Sequence, residues 1–178
     1  MSNKFEILMH QLDMPLEMRN SEAFLNAEIE EVLVHKVSRV WEFHFSFANI
    51  LPIEIFRELQ KRLAQEFSKT GNQAIFEIHC QAPQVSDELL QAYYQLAFEE
   101  GPCASHGFKS LYQNLRVHLD GDKLLIEGAS TIDTEHFRKN HLPNLSQQLV
   151  KYGFPQLTCQ VQHSDELTQQ QAENFQAE

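Results

Sequence analysis

The chain has 178 residues, of which 42% are hydrophobic and 10% aromatic, with 13 phenylalanines. This content is enough for a packed core and excludes a globally disordered protein. The 25 acidic residues outnumber the 14 lysines and arginines, giving a net charge of −11. The overall field therefore repels nucleic acid, because non-specific binding depends on cations that displace condensed counterions.

The first half of the chain alternates between helical and strand-like periodicity. It predicts two short helices, a strand pair, a long amphipathic helix that opens at a proline, and a further strand. In chain order their limits are residues 4–13, 21–26, 32–34, 41–47, 52–69 and 75–80. A turn at 37–39 joins the two strands of the pair.

The second half repeats this order of elements. Ser86 opens a helix, a short helix is predicted over 108–112, and the Asp120–Gly121–Asp122 turn joins two strands at 115–119 and 124–127. A helix carrying Phe137 to Tyr152 follows, in which Pro143 predicts a kink or restart, and the last strand covers 157–161.

The repeated order predicts an α+β protein with two small domains, each formed by a strand pair, a helix and a strand preceded by helices. The predicted boundaries are 1–82 for the first domain and 84–163 for the second. Residues 164–178 are polar and read as the start of a linker, so the sequence is expected to be the N-terminal part of a longer chain. The alternative is a single fused domain with one continuous sheet.

Cys80, Cys103 and Cys159 are far apart and form no C-x-x-C pair, which predicts reduced thiols in a reducing compartment. The first residues lack the apolar stretch of a signal peptide, and no run of eighteen apolar residues follows. The sequence therefore predicts a cytoplasmic protein that does not cross a membrane.

The residue types that often carry chemistry do not form a known constellation here. Most histidines in strand-like runs alternate onto the polar face, where a histidine is simply solvated, and His136 and His141 lie on different sides of a helix. Asp120 and Asp122 fit a tight hairpin better than a calcium loop. Cys103 and His106 leave a weak hypothesis of a hydrolase. The prediction is that the chain contains no catalytic, cofactor-binding or metal-ligating residues.

Four aromatic residues alternate along one predicted strand, at Trp41, Phe43, Phe45 and Phe47. Such a row is typical either of a base-stacking platform or of a sheet face packed on a helix. The residues between the aromatic ones are Glu42, His44 and Ser46 rather than arginine or lysine, which favours packing on the helix that carries Phe56 to Phe67. Tyr94 and Phe154 have two open interpretations, as interface anchors or as core residues.

The block from Trp41 to Leu63, the strand pair around Gly121–Leu124 and the Tyr152–Pro155 block together resemble one family. They are similar to the N-terminal region of the PolC-type DNA polymerase III alpha subunit of low-GC Gram-positive bacteria. The resemblance implies a first domain like domain V of the clamp-loader tau subunit and a second domain like a type II KH fold. It also implies that the polymerase and 3′–5′ exonuclease residues, with divalent metals such as Mg²⁺, lie in later parts of the parent chain.

The resemblance implies a non-enzymatic segment that docks replisome proteins, such as the clamp loader. The alternative is a KH-like module that binds DNA or RNA and positions template or primer. A KH domain grips the backbone with a G-x-x-G loop, and no glycines of the second half have that spacing. Direct nucleic-acid binding, a small-molecule substrate and a cofactor are therefore not expected in this segment.

Overall fold

The computed structural model describes residues 2–100, 115–128 and 134–163, together with residues 169 and 173. The chain divides into two compact units. The first unit comprises Met1–Gln84 and Lys151–Phe154, and the second comprises Val85–Val150 and Pro155–Glu178. Among the described residues, no helix combines the length and the apolar character needed to cross a membrane.

The first unit is a three-stranded sheet with helices. Its elements are α1 (Asn3–Gln11), α2 (Leu16–Arg19), a 3₁₀ turn (Glu22–Phe24), β1 (Glu28–His35), β2 (Val40–Phe47), α3 (Ile53–Ser68) and β3 (Gln73–Cys80). β2 lies in the centre, antiparallel to β1 and parallel to β3. The predicted hairpin, long helix and third strand are confirmed, but β1 begins four residues earlier than its apolar run indicated.

The helix predicted over residues 21–26 is wrong in its extent. The Ser21 side chain accepts a hydrogen bond from the Ala23 amide at 3.2 Å and opens only a single 3₁₀ turn. Asn26 has a φ of 61°, a left-handed conformation that cannot continue a helix. A four-residue helix that the sequence pattern missed, α2, instead follows Pro15.

Phenylalanines form the core of the first unit. The Phe5 ring of α1 lies edge-on to three others, with centroids 5.2 Å from Phe24, 5.7 Å from Phe45 and 5.5 Å from Phe47. All four side chains are buried. Each contributes about 1.5–3 kcal/mol by leaving water, and edge-to-face geometry adds about 0.5–1.5 kcal/mol per pair.

A four-residue segment far along the chain completes the first unit. In Lys151–Phe154, the Tyr152 ring lies 5.2 Å from that of Phe56 in α3, and both Tyr152 and Phe154 are buried. Gly153 between them has a φ of 108°, in the region that favours glycine. Phe154 is therefore a core residue, and the sequence pattern gave no sign that this segment belongs to the first unit.

The second unit repeats the sheet topology of the first. Its elements are α4 (Asp87–Glu99), β4 (Arg116–Asp120), β5 (Lys123–Gly128), α5 (Thr134–Asn140), α6 (Leu142–Lys151) and β6 (Thr158–His163). β5 is central, antiparallel to β4 and parallel to β6. The chain thus forms two separate sheets within the described residues, so the single continuous sheet is wrong and the α+β class is confirmed.

The helix start at Ser86 and the restart at Pro143 that the sequence predicts for the second unit are confirmed. Ser86 caps α4 by accepting a hydrogen bond from the Leu89 amide at 3.2 Å, and the helix restarts at Leu142, just before Pro143. Tyr94 is fully buried and is a core residue. The helix predicted over 108–112 lies outside the described residues.

Side chains of α4 cover the free edge of β4. Gln91 donates from Nε2 to the Leu115 carbonyl at 2.9 Å and accepts from the Val117 amide at 2.9 Å. Asp87 accepts from the Leu119 amide at 2.8 Å. The outward amides of this edge strand are therefore satisfied within the unit, which blocks the pairing of a further strand there.

Candidate functional site

The residues that the sequence singled out for chemistry do not converge in the described part of the chain. Asp120 and Asp122 flank Gly121, whose φ of 64° makes the β4–β5 turn, as predicted. His141 is buried, with its ring centroid 5.8 Å from that of Phe137. The side chain of His136 lies outside the described residues, as do Cys103 and His106. The absence of catalytic, cofactor and metal residues thus stays a prediction.

The aromatic row of β2 faces the core. Phe43, Phe45 and Phe47 are buried, and Trp41 is half-buried with its ring centroid 5.2 Å from that of Phe67 in α3. The interpretation of this row as a sheet face packed on the long helix is confirmed. Its phenylalanine rings are unavailable for stacking on bases, because buried rings cannot reach a ligand.

β1 is an edge strand with an exposed apolar run. It pairs only with β2, so its other edge is free among the described residues. Val32, Leu33 and Val34 are 38%, 36% and 45% exposed. Because successive side chains of a strand point to opposite faces, this edge is apolar on both faces of the sheet. Proteins usually blunt such an edge with lysine, proline or a cover, because it templates the pairing of another chain.

The first half of β1 is acidic. Glu28, Glu30 and Glu31 precede the apolar run, and the strand contains no lysine or arginine. Within the described residues, no side chain bonds to the backbone of residues 28–34, in contrast to the covered edge of β4. The edge is therefore open, apolar in its second half and negatively charged in its first half.

A cluster of imidazoles and carboxylates lies on the opposite face of the sheet from the phenylalanines, here called the outer face. Alternation along β2 places Glu42 and His44 there, and the parallel register places Glu77 of β3 beside His44. His44 Nε2 lies 2.9 Å from Glu42 Oε1, and His44 Nδ1 lies 4.0 Å from Glu77 Oε2. All three side chains are partly buried.

Two further side chains extend the cluster. His35 Nε2 of β1 lies 3.1 Å from Glu42 Oε2, and Lys151 Nζ lies 4.0 Å from Glu77 Oε1. The hydrogen bond from His35 lowers the pKa of Glu42 below its usual value, and His44 adds to this effect against the opposing cost of desolvation. His35 and His44 are thus partnered rather than simply solvated. Alternation signalled that Glu42 and His44 share a face, but only the β2–β3 register brings in Glu77.

Two family models match the chain. One describes the first N-terminal region of PolC-type DNA polymerase III and covers residues 4–78. The other describes the second N-terminal region of the same polymerase and covers residues 92–178. The chain belongs to the PolC-type DNA polymerase III family, as its N-terminal region. The family resemblance that the sequence blocks indicated is therefore confirmed.

Curated relatives agree over the whole length of the chain. DNA polymerase III PolC-type of Streptococcus sanguinis is 97% identical over 178 residues, and that of Streptococcus pneumoniae D39 is 64% identical over the same span. The Streptococcus pyogenes serotype M5 protein is 48% identical over 175 residues, which is 98% of this chain. The chain spans 12% of the length of each relative. No solved structure matches it.

Proposed function

We propose that this chain is a protein-docking region of a replicative DNA polymerase that synthesises DNA with 3′–5′ proofreading in the bacterial cytoplasm. The names of its relatives support the polymerase, and the matched models support an N-terminal position in it. In this proposal the catalytic residues and their divalent metals belong to other parts of the parent protein. The open edge of β1 is the observation that carries the docking role.

The partner in this proposal is an extended segment of another replication protein, such as the clamp loader, that adds to β1 as a further strand. Strand addition derives affinity from main-chain hydrogen bonds and specificity from alternate side chains. The segment carries apolar residues opposite Val32 and Val34, and lysine or arginine opposite Glu28 to Glu31. Opposite charges across a strand pair contribute about 0.2–1 kcal/mol each and fix the register.

Calorimetric titration of the chain with purified clamp loader, clamp, primase, helicase and single-strand-binding protein tests this function. We expect one of them to bind, with an affinity that falls as salt rises because the edge is acidic. The double variant Val32→Glu/Val34→Glu should weaken binding about tenfold or more, since about 1.4 kcal/mol of lost apolar contact is a factor of ten. Val150→Glu is the matched control, because Val150 of α6 is equally exposed and lies outside β1.

Binding that survives both β1 substitutions, or no binding by any of the five proteins, contradicts the docking proposal. Light scattering of the chain alone separates a further outcome, because self-association that the β1 variant abolishes identifies a second copy as the occupant. The nucleic-acid alternative has its own measurement, titration of fluorescent single-stranded and primed DNA at low salt. Tight binding there that weakens steeply with salt favours the KH-like function.

The observations that motivated nucleic-acid binding are weaker than those for docking. The phenylalanines of the aromatic row are buried, the second half lacks a G-x-x-G loop, and the chain carries a net charge of −11. A single-strand-binding groove combines cations with accessible aromatic rings. This combination is the physical requirement that the acidic edge of β1 does not meet.

A further inference from the structure

The outer-face cluster combines the donor atoms of a transition-metal site. One nitrogen of His44 and one carboxylate oxygen each of Glu42 and Glu77 lie within 4.8 Å of one another. Two of the three are neighbours two residues apart on β2, and the third is the cross-strand partner of His44 on β3. Paired strands hold such an arrangement more rigidly than a loop does.

The three donor atoms lie near the spacing that one tetrahedral ion requires. Bonds of about 2.0–2.2 Å to nitrogen and oxygen place neighbouring ligand atoms about 3.4 Å apart. Here the three donor atoms, one from each residue, lie within 4.8 Å of one another, and the contact between His44 Nε2 and Glu42 Oε1 is 2.9 Å. Glu77 contacts the other ring nitrogen of His44, Nδ1, at 4.0 Å, so its side chain must change rotamer to bind the same ion as Nε2 and Glu42.

The donor types select the metal. An imidazole with two carboxylates suits Zn²⁺, whereas Mg²⁺ and Ca²⁺ prefer all-oxygen shells. Glu42 and Glu77 together carry the two negative charges that neutralise a divalent ion. His35 Nε2 lies 3.1 Å from Glu42 Oε2, while His44 contacts the other oxygen, Oε1, so the His35 contact holds the Glu42 carboxylate in place.

We propose that Glu42, His44 and Glu77 bind one Zn²⁺ ion on the outer face of the first sheet, with water as the fourth ligand and His35 positioning Glu42. The three ligands lie on β2 and β3 rather than on β1, so the outcome of this proposal can be told apart from that of the docking function. It departs from the sequence expectation that the chain has no metal ligands.

Lys151 gives the proposal a distinctive consequence. Its ammonium lies 4.0 Å from Glu77 Oε1 and competes with a metal ion for that carboxylate. Lys151→Gln removes the competing charge and should therefore tighten Zn²⁺ binding severalfold. A purely structural ion pair between Lys151 and Glu77 predicts no gain in metal affinity from that substitution.

Calorimetric titration of the untagged, full chain with Zn²⁺, and absorption spectroscopy with Co²⁺, test the site. We expect one Zn²⁺ ion to bind per chain, Co²⁺ to give the visible absorption band of a tetrahedral site, and Mg²⁺ to give no response. His44→Ala and Glu77→Gln should each lower Zn²⁺ affinity at least about tenfold. His35→Ala, which removes a positioning residue rather than a ligand, should lower it by a smaller factor. His79→Ala is the matched control, because His79 is an exposed histidine of β3 that contacts Glu30 and not the proposed ligands.

Circular dichroism of each variant shows whether it retains the fold, which is expected because these side chains lie on the solvent side of the sheet. The proposal is overturned if the chain fails to bind Zn²⁺ at one equivalent. It is equally overturned if His44→Ala binds Zn²⁺ as tightly as the natural chain, or if His79→Ala loses as much affinity as His44→Ala. In each case the cluster is an ordinary network of ion pairs.

Discussion

Replacing Gly153 with alanine tests the structural role of the segment that completes the first unit. An alanine Cβ at this position would lie 2.6 Å from Cys80 Sγ and 3.1 Å from Ile78 Cγ2, both closer than ordinary contact. The φ of 108° adds strain for any side chain. Backbone strain costs about 1–3 kcal/mol and overpacking about 1–3 kcal/mol, so Gly153→Ala should lower the free energy of unfolding by about 2–6 kcal/mol.

Gly71→Ala is the matched control within the same unit. Gly71 has a φ of 72°, and the nearest atom to an added Cβ is Arg39 Nη1 at 3.2 Å, at the end of a flexible side chain. Its substitution should therefore cost only the backbone strain of a left-handed residue, about 1–2 kcal/mol. The difference between the two variants isolates the steric contact of Gly153 with β3.

Urea unfolding followed by tryptophan fluorescence measures both variants. Trp41 is the sole tryptophan and packs on Phe67, so its emission reports on the first unit. Equal costs for Gly153→Ala and Gly71→Ala would refute the packing of Gly153 against Cys80 and Ile78. A second check is the double variant Gly153→Ala/Cys80→Ala, which removes the Sγ atom and should recover part of the lost stability.

Three further predictions concern single groups. Arg62 donates to Glu58 at 2.6 Å and lowers the pKa of Glu58 below its usual 4.5. This pair therefore stabilises the fold above pH 4.5, and the contribution is lost as the pH falls. In Glu58→Gln, the melting temperature should fall less steeply on acidification than in the natural chain. Burial raises the pKa of Cys80 and Cys159 to about 11, so in a Cys103→Ser background both thiols should react slowly with a thiol reagent near pH 8 until the chain is unfolded. Ser86→Ala removes the cap of α4 and should cost about 1 kcal/mol in urea unfolding.

Elements determined by local periodicity were predictable. The alternation of Phe43, Phe45 and Phe47 fixes which face of β2 is buried, and the helical spacing from Phe56 to Leu63 gives α3. The Asp120–Gly121–Asp122 turn was predictable because a two-residue hairpin demands a residue that tolerates positive φ. These features depend only on residues close together in sequence.

Features that depend on distant contacts were not predictable in the same way. The start of β1 contains Glu28, Glu30 and Glu31, which are poor strand formers, and pairing with β2 overrides their propensity. The outer-face cluster needs the parallel register of β2 and β3, which a single sequence does not encode by spacing. The placement of Lys151–Phe154 in the first unit likewise follows from packing against Phe56 and β3.

The return of the chain to the first unit at Lys151–Phe154 has a consequence for synthesis on the ribosome. Residues 85–150 must be translated before this segment exists, and elongation proceeds at about 5–20 residues per second. The first unit thus waits for about 3–13 s with the surface around Phe56 and Ile78 uncovered. During that interval the nascent first unit exposes apolar surface, and its completion requires that residues 85–150 of the second unit have already been synthesised.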